Sequence, residues 1–344
     1  MSIKIDLFSD TNSGICDGMR KAIATAKVGN EVAGEDPTVN TLLERVCNLL
    51  GKEAATFMPS GTMCNGIAYR VFCKRPGDFI ILDEKAHPLH KASGLISGLA
   101  HAQPIYIKGD QGIFTAEQIR PYLECARGYN LSYPRLVSIE QTTNFGGGAI
   151  WPLETIRSVC DLAHRSGAYT HMDGARLFNA SVGSGISLKE YAEPFDSVWI
   201  DFCKTLGAPM GAVIAGDQSF IDEVWYYKFQ QGGGMHQAGI LAAACLYGLD
   251  HNLEKIHTVH QLTQRLADRL VEFPFISMEQ PPQTNILILK IDDAQEWTQR
   301  LLEKGIRMLA IDNEHLRAIL HLDICENDIE TICQAIEQIS LSRV

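Results

Sequence analysis

Three short segments place polar groups where an apolar run ends. Pro59-Ser60-Gly61-Thr62 lies between the strand-like Thr56-Phe57-Met58 and a helical stretch from Thr62 to Phe72. Ser60 can cap that helix and Gly61 lets the backbone come close. Thr62 adds a hydroxyl, and free N–H groups at a helix N-terminus make an anion site. His171-Met172-Asp173-Gly174-Ala175-Arg176 ends an apolar strand on a carboxylate, with an arginine three residues on. Phe202-Cys203-Lys204-Thr205-Leu206-Gly207-Ala208-Pro209-Met210-Gly211 ends another on a lysine that enters a Gly/Pro loop. Lysine is seldom buried without a reason. A half-buried lysine with a lowered pKa is the usual amine for trapping a carbonyl. Singly, these pieces read equally well as a capped turn, a structural ion pair and a snorkelling lysine. In this order they are what a pyridoxal-phosphate site needs. The acid keeps the pyridine nitrogen protonated, the lysine holds the aldehyde as a Schiff base, and the helix N-terminus holds the phosphate.

The elements that must position them alternate. Strands are expected at Phe79–Leu82, Pro104–Ile107, Leu136–Ile139, Ala168–Met172, Val198–Phe202 and Ala212–Ala215, with helices at Thr115–Glu124 and Leu153–Arg165. This β-α alternation predicts an α/β fold with a mostly parallel sheet and helices on both faces. In such sheets ligands collect at the carboxyl ends of the strands. After Gly232 helical pattern dominates from His236 to about Val271. A strand (Asn285–Ile291), a helix (Ala294–Lys304), a strand (Arg317–Leu322) and a last helix (Asn327–Ile339) follow. The expected division is a large cofactor-binding domain over 1–250, including the N-terminal segment, and a small C-terminal α+β domain over 251–344.

With 344 residues, 46% of them hydrophobic and 21% charged, the composition is that of an ordinary globular protein. A net charge of −11 with no basic stripe argues against a nucleic-acid partner. No apolar run reaches the ~18–20 residues of a membrane span, and Met1-Ser2-Ile3-Lys4-Ile5-Asp6 lacks a signal-like apolar region. The ten cysteines include no CxxC pair and no zinc-like spacing. Reduced thiols in a cytoplasmic protein that binds no metal are the expectation.

The motifs together resemble the low-specificity L-threonine aldolases, pyridoxal-phosphate enzymes of fold type I (aspartate-aminotransferase-like). The resemblance runs over nearly the whole chain. Its marks are the three segments above together with Ser9-Asp10-Thr11, Val28-Gly29-Asn30-Glu31-Val32, Gly34-Glu35-Asp36-Pro37-Thr38-Val39-Asn40, Gly232-Gly233-Gly234-Met235 and Leu320-His321-Leu322-Asp323. It implies that Lys204 carries the cofactor, Asp173 pairs with the ring nitrogen, and Ser60, Gly61 and Thr62 hold the phosphate. His87 stacks on the ring, Ser9, Arg176 and Arg317 anchor the substrate carboxylate, and Lys228 reaches a phosphate in a neighbouring subunit. It implies a homo-oligomer, at least a dimer and by preference a tetramer. Trp225, Tyr226, Tyr227 and Phe229, beside a Gly232–Gly234 loop too flexible to fix itself, would serve its interface or its core equally well.

The chain departs from that pattern on the substrate side. Ala33 stands where many relatives have Tyr, Thr143 where many have His, His90-Lys91-Ala92 where many have a Glu, and His236 where many have Arg. The expected reaction is cleavage of threonine, allo-threonine or a related β-hydroxy-α-amino acid to glycine and an aldehyde. His87 is the first candidate for the base, with pure stacking as its other role. A β-eliminating lyase acting on a Cys-like or aromatic amino acid is the alternative. A relative that binds the cofactor without turnover is a third reading.

Overall fold

The computed structural model describes residues 2–126 and 128–342. Strand β1 (Ile5–Asp6) comes first. Then β2 (Ala54–Met58), β3 (Phe79–Asp83), β4 (Gln103–Ile107), β5 (Pro134–Glu140), β6 (Tyr169–Gly174), β7 (Ser197–Asp201) and β8 (Ala212–Gly216) form a seven-stranded sheet in the order β2-β8-β7-β6-β5-β3-β4. All neighbours from β7 to β4 run parallel, and β8 runs antiparallel to both of its partners. The mostly parallel sheet expected from the alternation is present, with β8 as the reversed strand.

Both faces of this sheet are buried, which is why its strands read as continuous apolar runs. Successive side chains point to opposite faces. Ile81, Val198 and Ile200 join one cluster with Val39, Leu42, Val46, Ile156 and Val159 of helices Pro37–Leu50 and Leu153–Arg165. Ile80, Leu82 and Trp199 join another with Cys64, Ile67 and Ala68 of helix Gly61–Phe72. The long helical stretch expected after His236 is two helices, Gly239–His251 and Lys255–Leu270.

Strand β9 (Ile286–Lys290) opens a smaller unit. β10 (Ile306–Arg307) pairs in parallel with β1, while β11 (Leu309–Ala310), β12 (His315–Ile319) and β9 form an antiparallel sheet with β12 in the middle. Its core gathers Leu262, Leu266, Trp297, Ile329 and Ile336, and also Ile5 and Leu7. Ile5 and Leu7 of the N-terminal segment, expected with the large domain, thus pack against the smaller unit. Polar bonds hold the segment: Arg307 pairs with Asp6, His321 Nε2 lies 2.7 Å from the Asp6 carbonyl, and Gly14 N–H donates to Asp323 at 2.5 Å. The segment thereby brings Ser9 and Asp10 to the strand ends of the large sheet.

Candidate active site

Adjacent parallel strands β5, β6 and β7 each carry an acid at the carboxyl end: Glu140, Asp173 and Asp201. Glu140 stands opposite Asp173 in the ladder. A cavity of about 500 Å³ opens over these ends. Ser9, Ser60, Gly61, Thr62, His87, Asp173, Arg176, Lys204 and Arg317 all border it. Of the cofactor- and substrate-binding residues that the resemblance implies, only Lys228 does not. A larger cavity of about 640 Å³ adjoins it, sharing Lys91, Phe145 and Leu309.

The anion site is built at the start of helix Gly61–Phe72. Ser60 is its N-cap and its Oγ accepts from Met63 N–H at 3.3 Å. Gly61 packs on the Trp199 indole so closely that a Cβ there would lie 2.1 Å from the ring, so no larger residue fits.

Asp173 is buried and held by hydrogen bonds. Oδ1 accepts from Ala175 N–H at 3.1 Å and Oδ2 from Asn65 Nδ2 at 2.7 Å. Asn65 is oriented in turn by Trp199 Nε1, which donates to its Oδ1 at 2.7 Å, and by His171 Nε2 at 3.1 Å from the same oxygen. Burial pushes His171 down to about 3, so it is a neutral donor to Asn65. Burial raises the Asp173 pKa, while the Asn65 bond and the Lys204 charge oppose that rise. Asn65 and Asp201 were not anticipated from the sequence, and no motif marks them out.

Lys204 Nζ donates to Asp201 Oδ2 at 2.6 Å. The lysine expected to have a lowered pKa has a raised one. Burial is the largest single influence and lowers it, but the Asp201 charge and hydrogen bond, with a smaller contribution from Cys203, together raise it by more. Burial and the positive charges of Lys204, Arg176 and Arg317 push His87 down to about 4, so its imidazole is neutral near pH 7 and able to accept a proton. Burial and the neighbouring Asp173 push Glu140 up.

The two arginines differ. Arg176 makes a bidentate pair with buried Asp10, both bonds 2.8 Å. Arg317 has no carboxylate partner among the described residues. It donates from Nη1 to Asn144 Oδ1 at 2.7 Å and from Nη2 to Phe8 O at 3.3 Å, while its buried Nε has no partner. Burial and the charge of Arg176 pull Arg317 down to about 10. A buried guanidinium with an open N–H beside a second arginine calls for an anionic ligand.

Lys228 is fully buried within its own chain and ion-paired to Glu31, with its Nζ 3.9 Å from the centre of the Trp225 ring. Glu31 also accepts from Met235 N–H at 3.1 Å, so this carboxylate fixes the end of the Gly232–Gly234 loop that was expected to need a partner subunit. Glu31→Ala would leave the Lys228 ammonium buried and unpaired. Urea unfolding of that variant should show a loss of about 3–5 kcal/mol. Thr143 does not border the cavity over the strand ends, and its Oγ1 accepts from Ala149 N–H at 3.2 Å to close the following loop.

Residues 6–294 match the family model described as beta-eliminating lyase. The chain belongs to the beta-eliminating lyase family. Low-specificity L-threonine aldolase 1 of Arabidopsis thaliana is 34% identical over 98% of this chain and 97% of its own length. Low specificity L-threonine aldolase of Escherichia coli K12 is 31% identical over 95% and 97%. Among solved structures, a putative L-allo-threonine aldolase from Listeria monocytogenes superposes with a TM-score of 0.82 at 21% identity, covering 98% of this chain and 96% of that one. The Leishmania major threonine aldolase gives 0.83 at 19%, covering 97% and 99%. These two show a shared fold. As a beta-eliminating lyase family member the protein is a pyridoxal-phosphate-dependent lyase. The cavity suits that cofactor: it offers a capped helix N-terminus for a phosphate, a buried carboxylate for a ring nitrogen, and a lysine amine for an aldehyde.

Proposed function

We propose that the protein cleaves L-threonine, L-allo-threonine or a related β-hydroxy-α-amino acid to glycine and an aldehyde. We propose further that it works in the cytoplasm as a homo-oligomer, at least a dimer and by preference a tetramer. The observation that carries the reading is one cavity bordered by a lysine amine, a buried Asp173 and two guanidinium groups, one with an open N–H. The names of the full-length relatives support it. Tyr226 and Phe229, exposed on helix Gln218–Gln230, support the oligomer, since aromatic residues are enriched at interfaces.

When bound, pyridoxal phosphate supplies an electron-withdrawing ring that takes up the electron pair released at the substrate α-carbon. Lys204 is the amine for its aldehyde as a Schiff base, Asp173 the anion for its ring nitrogen, and Ser60, Gly61 and Thr62 the seat of its phosphate. Arg317, Arg176 and Ser9 hold the substrate carboxylate and so fix which α-carbon bond is aligned for cleavage. Orientation of this kind lowers a barrier by several kcal/mol, up to ~7–11 at the limit. His87, neutral at working pH, accepts the β-hydroxyl proton as the Cα–Cβ bond breaks.

Assays on L-threonine, L-allo-threonine and L-phenylserine should yield glycine and the matching aldehyde. A 2-oxo acid and ammonia without glycine would instead establish the β-eliminating alternative. Arg317→Ala should raise KM for the amino acid roughly ten- to a hundredfold, because a charge-assisted bond to carboxylate contributes about 1.5–3 kcal/mol. Arg176→Ala should raise KM too and also lower kcat, because Arg176 lies close to Asp173 in sequence and helps hold Asp10.

A further inference from the structure

We propose that Asp201 is a catalytic proton carrier for Lys204. Its carboxylate takes the proton that the lysine must shed to become a nucleophile, and returns it to the oxygen that leaves as water. This rests on the reading of Lys204 as the amine that attaches pyridoxal phosphate. Asp201 is the last residue of β7, and its side chain is 3% exposed. Oδ1 accepts from Cys203 N–H at 2.8 Å, which aims Oδ2 at Lys204 Nζ, 2.6 Å away. Trp199 lies two positions back on the same strand and so on the same face. Its ring centre is 5.6 Å from Nζ. The ammonium therefore sits between a carboxylate and an indole.

A primary amine attacks a carbonyl carbon through its lone pair, and an ammonium has none. Some nearby group has to accept the proton. The titratable groups facing the pair from other elements are Asp173, Arg176 with Asp10, His87, and the thiols of Cys64 and Cys245. Cys203 adjoins the pair on the same loop. Asp10 is engaged by Arg176, and Asp173 by Asn65 and Ala175. Burial pushes all three thiols up, so they stay protonated. His87 makes no hydrogen bond to Lys204, whose Nζ donates to Asp201. Asp201 is the base in direct contact.

The step balances. The Lys204 ammonium gives one proton to Asp201. The amine lone pair forms the C–N bond, and a second amine proton passes to the carbonyl oxygen. Asp201 returns its proton to that oxygen, which departs as water. The linked nitrogen keeps one proton and the positive charge, and Asp201 ends as it began.

The test is capture of pyridoxal phosphate by the cofactor-free protein. Attachment is trapped with borohydride at timed intervals across pH and counted on the Lys204 peptide by mass spectrometry. Near neutral pH, where Lys204 needs an internal proton acceptor, Asp201→Asn should lower the rate of capture by roughly a hundredfold. Asp201→Glu should regain part of it. The deficit should close at high pH, where solvent removes the proton from Lys204 in either protein. A neutral-pH rate within twofold of wild type would overturn the proposal. If the variants do not fold, Lys204 in the wild-type apoprotein is labelled with an amine-reactive ester across pH. Half-labelling above the pH of the exposed lysines is expected, and half-labelling below it would overturn the pairing. Wild-type protein that captures no pyridoxal phosphate would instead defeat the reading of the site on which this rests.

Discussion

Lys204→Ala abolishes covalent attachment of pyridoxal phosphate and lowers turnover by orders of magnitude. The lysine sits just past β7, and its Nζ is set over the strand ends by Asp201. Lys91 also borders the cavity, but it is exposed and follows the short helix His87–His90 instead of ending a strand of the sheet. It cannot stand in for Lys204, and Lys91→Ala should attach the cofactor as wild type does. Absorbance of the bound cofactor and steady-state rates on L-threonine check both variants. Near-normal turnover in Lys204→Ala would mean that the chemistry lies elsewhere.

Asp173→Asn keeps pyridoxal phosphate bound but removes most of the rate. The anchors at Ser60, Gly61, Thr62 and Lys204 are untouched by the change, so affinity should fall little. A neutral amide, however, cannot hold a ring nitrogen protonated, and the ring's capacity to take up electrons depends on that proton. The surrounding bonds are arranged for a carboxylate, since Asn65 Nδ2 and Ala175 N–H both donate to it. The measurement is kcat alongside a cofactor dissociation constant. A kcat within a few-fold of wild type would mean that Asp173 is the wrong acid.

The strands of the large sheet were legible because both of its faces are buried, so each strand is an uninterrupted apolar run closed by a polar residue. That same rule exposed Asp173 and Lys204, whose charges break such runs. Helix Pro37–Leu50 was read only as a motif, although its signals are local. Asp36 caps it through Thr38 and Val39 N–H, Pro37 occupies the first turn, and Gly51 ends it at φ 64°. Asp36 also accepts from Gly29 and Gly239 N–H, which makes that motif part of the scaffold. Lys228, beside a glycine loop, reads as a surface cation. Its partner Glu31 lies far away in the chain, and long-range ion pairs leave no local trace. Asn65 was invisible for a similar reason: its role exists only once β6, β7 and helix Gly61–Phe72 are side by side, whereas Asp201 stands only three residues before Lys204. The three-residue seat at Ser60–Thr62 carried its own local signature and needed no such assembly.

The central claim is that Lys204 holds pyridoxal phosphate and that this site cleaves β-hydroxy-α-amino acids. The most direct measurement is borohydride reduction of the purified protein with pyridoxal phosphate, followed by peptide mass mapping, with and without prior addition of L-threonine. One pyridoxyl-modified peptide is expected, containing Lys204, with loss of that modification and release of glycine when L-threonine is present. Modification at another lysine, or retention of the Lys204 adduct with no glycine formed, would contradict it.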